Sequence, residues 1–342
     1  MTTSRADPVT PKWWPGDPRA RSRCDPVTRA SGGGDLRVRS LSVAVLALCL
    51  AGLCAACGGV PGDMIRVPAG RFVLGHAQPE HRDEGPPHPV VLDAFLLERT
   101  LVTRDDFTAF VQATAYRTSA ELRGTGKTAI VGMADWAWRE VRGADWRAPW
   151  GPQNVAAIPL RGDMPVTMVS WLDADAYCRW RGRRLPTEAE WEYAMRAGAT
   201  TRFPWGDDRL DHQRPAMNTW EGDTHADNPA TDGWVYVSPV RTYPPNRWGF
   251  FDPAGNVWQW VADWWSEDAF ARDALAHPDG VLNPPGPPPP SGPEQPRYKV
   301  ARGGSWWCSE STCHGYGLVA RGKTRPEASF SNNGFRCAAD DS

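Results

Sequence analysis

Gly182-Arg-Arg-Leu-Pro-Thr-Glu-Ala-Glu-Trp-Glu-Tyr193 is the stretch from which the rest of the chain can be read. Behind Pro186, Thr187 and Glu190 form a capping box, in which hydroxyl and carboxylate satisfy two backbone amides at a helix start. Trp191, Ala194 and Met195 follow at helical spacing, and Gly198 suits the left-handed residue that ends a helix. Upstream, Ser170 caps a second helix through Ala174, Tyr177 and Cys178 to Gly182. Further upstream, Thr103-Arg-Asp-Asp106 is another capping box, and Phe107, Phe110 and Val111 continue it, so a helix begins near Arg104. Residues 63–75 alternate like a strand pair around a Pro-Ala-Gly turn, and residues 90–97 are a further strand candidate. Residues 120–163 read as irregular and 200–262 as turn-rich.

The chain has 342 residues, long enough for a sizeable core. It carries 19 Trp, 33 Gly and 33 Pro, so long uninterrupted helices are excluded and large aromatic anchors are expected in an irregular α+β domain. The formal net charge of −2 gives no basic surface for nucleic acid. Residues 284–296 are Pro-rich and read as an extended surface insert.

The N-terminus divides into two parts. Residues 1–40 are polar, rich in Arg, Pro and Gly, and read as a disordered leader, with a true start nearer Val38 as the alternative. Residues 41–57 are apolar, preceded by Arg37 and Arg39 and closed by small residues, the layout of an export signal. Ala55-Ala56-Cys57 is similar to a lipoprotein processing site, which would leave Cys57 as a lipidated first residue on a membrane. The folded domain is expected over 63–342.

Three stretches carry a family resemblance. They are Pro165 to Tyr193, Tyr243-Pro-Pro-Asn246 to Gly255-Asn-Val-Trp-Gln-Trp260 and Asp263-Trp-Trp265, and Arg302-Gly-Gly-Ser305 to Asn333-Gly-Phe-Arg-Cys-Ala-Ala-Asp340. With Val67-Pro-Ala-Gly70 they resemble the formylglycine-generating enzymes (sulfatase-modifying factors). The resemblance implies that family's fold, akin to C-type lectins, in one domain. It implies oxidation by O2 of a cysteine in an unfolded sulfatase Cys-x-Pro-x-Arg segment to Cα-formylglycine.

Cys308 and Cys313 decide between activities. In an exported chain, two cysteines four residues apart read first as a disulfide. The resemblance implies that they bind copper(I), a soft ion that thiolates select; a disulfide between them would be an inactive form. The alternative function is an exported binding or maturation module with that disulfide. The resemblance further implies a structural disulfide between Cys178 and Cys337. It implies that Met195 and Leu318 replace a second disulfide of some relatives.

Ser305, Trp258 and Arg321 match positions lining the family's groove, and Asn332 is a candidate substrate contact. Trp258 as plain core and Arg321 as a structural ion pair are the alternatives. The resemblance also implies two calcium sites. One would use Asn218, Thr219, Asp232 and Trp234, the second and fourth through backbone oxygen. The other would use Asp252, Gly255, Val257 and Gln259, with Gln259 standing where an acid is common. Hard oxygens on irregular loops suit calcium, though Asp and Asn are also ordinary turn formers.

Overall fold

The computed structural model describes residues 60–341 except 135–136, 156–157, 293–296 and 310–315. The leader, the export segment with Cys57, and Cys313 therefore lie outside the described residues. Strands β1 (Met64–Val67), β2 (Gly70–Leu74), β3 (His88–Leu92) and β4 (Phe95–Glu98) open the domain. Helices α1 (Arg104–Thr114) and α2 (Ser119–Arg123) and the antiparallel pair β5 (Thr125–Thr128) and β6 (Arg139–Arg142) follow. Next come α3 (Trp171–Trp180), α4 (Glu188–Arg196), the short pair β7 (Leu210–Asp211) and β8 (Arg214–Pro215), and β9 (Trp258–Trp264). Helix α5 (Ala269–Ala276), β10 (Val281–Leu282), β11 (Lys299–Gly303), β12 (Gly317–Thr324), β13 (Asn333–Gly334) and β14 (Ala338–Asp340) complete it.

Both expected capping boxes form, Thr103 with Asp106 and Thr187 with Glu190, and the expected Ser170 cap forms one as well, with Asp173. A fourth, Thr118 with Glu121, starts α2, which runs into the stretch that reads as irregular. The expected strand pair at 63–75 is corrected in its pairing. Strand β1 pairs with β4, whereas β2 pairs with β3 in a different sheet. The crossing occurs at Gly70, where a Cβ would lie 2.1 Å from the Tyr193 hydroxyl, so any side chain there would push the Tyr193 ring aside. The single strand candidate at 90–97 is likewise two strands. Asp93 and Ala94 separate them, and the Asp93 amide bonds the Asn283 side chain rather than a neighbouring strand.

The site is framed by the four-stranded sheet in the order β12-β11-β9-β13. Trp191, Trp260 and Trp306 are among its fully buried anchors, while Trp180 is exposed, so the Trp-rich composition is core only in part. Cys178 and Cys337 are bonded, tying α3 to the C-terminal segment. Met195 and Leu318 both lie fully buried in one apolar cluster. The Pro-rich stretch is not wholly surface. Pro284 is buried, and a Cβ on Gly286 would come 2.3 Å from an Asp263 carboxylate oxygen. Among the described residues no helix is long and apolar enough to cross a membrane.

Candidate active site

Strand β11 ends at Gly303, where φ is +92°, and Gly304 continues at +77°, a conformation that side chains disfavour. This turns the chain inward and buries Ser305, Trp306, Trp307 and Cys308 together. The Cys308 amide donates to the Ser305 carbonyl at 3.0 Å, closing a tight turn that brings the two side chains face to face. Ser305 Oγ lies 3.5 Å from Cys308 Sγ. The same oxygen accepts from the Trp307 amide at 3.3 Å and from Asn332 Nδ2 at 3.0 Å. With both donors pointing at it, Ser305 Oγ has its own proton to offer the sulfur.

Asn332 thus joins the site by holding Ser305, a role that residue order does not reveal. Its Oδ1 is buried with no hydrogen-bond partner. An unmatched buried amide oxygen is unusual, because such groups are normally paired. Cys308 is disulfide-bonded in this structure. Trp258 belongs to the hydrophobic core and its ring packs on Gly322, where a Cβ would come within 3.3 Å.

Arg321 lies elsewhere. Its Nε and Nη2 donate to the two oxygens of Glu188, and Nη1 donates to the carbonyls of Asp83 and Ser266. Its side chain is closed to solvent. The ion pair left open by the sequence is what forms, and Arg321 is not presented to a substrate. Burial pushes the Glu188 carboxyl up, but Arg321 and Arg302 outweigh it and hold it below its usual range. Arg302 also binds Glu192, and Glu192 binds Arg196, so a paired charge network lies beneath β11 and β12.

The two expected calcium sets differ. Asn218 donates Nδ2 to the Tyr236 carbonyl, leaving Oδ1 buried and without a partner; Thr219 Oγ1 is likewise unpartnered. Burial raises the Asp232 carboxyl to about 6, and its oxygens accept from the Trp234 amide and the Tyr243 hydroxyl. Spare hard oxygens with a half-buried carboxylate fit a calcium ion. In the second set Asp252 Oδ2 is unpartnered, and Gly255 has a φ of +71° with Asn218 O where a Cβ would go. Val257 is fully buried. Gln259, however, does not fit as a ligand. Its Oε1 accepts from Trp191 Nε1 and Arg336 Nε, and its Nε2 donates to the Asp252 carbonyl. Both lone pairs of that oxygen are spent, one on a guanidinium.

His225 has no signal in the sequence, where it sits in a polar turn-rich run. It is fully buried and stacks flat on Trp307, with ring centroids 3.6 Å apart and planes 3° off parallel.

A family model, the sulfatase-modifying factor enzyme 1-like domain, matches residues 56–341. The chain belongs to the formylglycine-generating enzyme family. It is 40% identical over 294 residues to the formylglycine-generating enzyme of Thermomonospora curvata, covering 81% of this chain and 93% of that one. It is also 35% identical over 294 residues to the inactive Cα-formylglycine-generating enzyme 2 of Mus musculus, covering 81% and 85%. Among solved structures, PvdO from Pseudomonas aeruginosa is similar at 25% identity with a TM-score of 0.59, covering 81% of this chain and 94% of that one. Family members thus include one named inactive, so the site must separate the activities.

Proposed function

We propose that the chain is an exported oxidase that converts a cysteine in an unfolded sulfatase Cys-x-Pro-x-Arg segment to Cα-formylglycine with O2. The observation that carries it is Cys308 set against Ser305 and Asn332 in a buried cluster, with the Asn332 amide oxygen unmatched. Cys308 and Cys313 would hold copper(I), since two thiolates are the soft donor set it prefers. When bound, copper(I) supplies redox contact between a substrate thiolate and O2. Ser305 Oγ holds a proton beside the sulfur of Cys308 and orients it. Asn332 fixes that hydroxyl and keeps one oxygen free toward a substrate amide. Trp258 and its apolar neighbours exclude water. Turning a cysteine CH2–SH into an aldehyde releases sulfide and two electrons, while O2 takes four on its way to water. Two further electrons must therefore come from a reductant such as a thiol.

A calcium ion held by Asn218, Thr219, Asp232 and Trp234 would brace the loops behind the site. Anchoring through Cys57 would place the enzyme on a membrane surface, where it meets sulfatases before they fold. The second reading, a binding module, is favoured by the disulfide-bonded state of Cys308. Incubation of a Cys-x-Pro-x-Arg peptide with the reduced, copper(I)-loaded protein in air, followed by mass spectrometry, tests the oxidase. Conversion to the aldehyde, absent with Cys308→Ser and Cys313→Ser, is expected. No conversion and no copper(I) binding would leave the binding module.

A further inference from the structure

The peptide unit between Trp307 and Cys308 is held from both sides. Its N–H donates to the Ser305 carbonyl at 3.0 Å. Its C=O is 2.8 Å from His225 Nε2. A carbonyl only accepts, so Nε2 carries the proton. The next carbonyl, that of Cys308, accepts from the Trp220 amide at 2.8 Å. Trp220 Nε1 donates to the Thr224 carbonyl at 2.9 Å, which folds the segment from Trp220 to His225 back on itself. The Trp220 ring meets both His225 and Trp307 edge-on. One loop therefore grips two successive carbonyls, and the direction of the Cys308 Cα–Cβ bond follows from the plane so fixed.

A phenylalanine at 225 would stack on Trp307 as well as histidine does. Packing alone does not ask for the nitrogen; the Trp307 carbonyl does. We propose that His225 is a positioning residue for the thiol of Cys308, acting through the Trp307 carbonyl. Only its consequence for turnover rests on the oxidase reading; its effect on the thiol does not.

Two variants separate the ring from the donor. His225→Phe keeps the stack and loses the hydrogen bond; His225→Gln keeps an N–H donor and loses the stack. The readout is the rate of iodoacetamide alkylation at Cys308 in the reduced, metal-free full-length protein, followed by peptide mass spectrometry. For His225→Phe the expected result is alkylation faster by about tenfold, the scale of one lost buried hydrogen bond, with a Tm close to the parent. His225→Gln should restore part of the parental rate. In the copper-loaded enzyme, kcat should fall in His225→Phe while KM for the peptide stays. A parental alkylation rate in His225→Phe would overturn the proposal. So would loss of folding in both variants, which would make His225 a core requirement. A parent protein that alkylates normally but forms no aldehyde would count against the oxidase reading alone.

Discussion

Two buried polar regions lie close together and behave oppositely. Beneath β11 and β12, the three nitrogens of Arg321 and both terminal nitrogens of Arg302 each meet a carboxylate or carbonyl oxygen, so every carboxylate there is held by a cation, although Arg302 Nε itself has no partner. In the turn that follows β11, a sulfur, a hydroxyl and an amide gather, and the amide oxygen of Asn332 is left unmatched. A group that has spent its hydrogen bonds on the fold has none to give a substrate. The first region therefore holds the sheet and helix α4 together, and the second has bonding capacity left for chemistry.

The sharpest way to break this contrast is to damage the first region. Arg302→Met leaves Glu192 with one cation and Glu188 with one, both fully buried. Removing one partner of such pairs costs about 3–5 kcal/mol, and urea unfolding at neutral pH should show a loss of that size. Calcium comes next. If the ion sits on Asn218 and Asp232, chelation should lower Tm, with a loss of about 2.7 kcal/mol for calcium present at a hundred times its Kd. Asp232→Asn should abolish that response, whereas Gln259→Ala, by losing its bonds to Trp191 and Arg336, should destabilise with and without calcium. Asn332→Ala should cost less, about 1 kcal/mol, yet slow peptide conversion, because Ser305 loses its brace.

A separate effect is one of pH. Burial raises Glu98 from 4.5 to about 7, against the Cys337 amide and Arg183 that favour its charge. A carboxyl raised on folding stabilises fully below its unfolded pKa, and that contribution is lost as pH rises through the folded value. Glu98→Gln stays neutral throughout. Its Tm relative to the parent should therefore improve from pH 5 to pH 8, and a constant difference would contradict the shift.

Much of this was legible in the residues. Capping boxes are local, so Thr103, Ser170 and Thr187 announce their helices without help from the fold. The bond between Cys178 and Cys337 followed from family resemblance rather than spacing. Strand pairing was not legible, because the crossing at Gly70 depends on Tyr193, far along the chain. Arg321 and Gln259 show the same limit. Each matches a position by order, but its partners, Glu188 for one and Trp191 with Arg336 for the other, come from distant segments. Asn332 was visible as a candidate, and only the fold turns it toward Ser305. His225 was invisible, since a lone histidine among Gly, Asp and Asn looks like any turn residue.

The most direct test pairs one variant from each region in the peptide-conversion assay, with turnover counted per folded molecule. Compared in the reduced state, Cys308→Ser should keep a near-parental Tm and form no aldehyde. Arg321→Met should lose stability but convert the peptide at a near-parental rate while folded. A folded Arg321→Met protein without turnover, or a Cys308→Ser protein that still makes formylglycine, would contradict the division between the two regions.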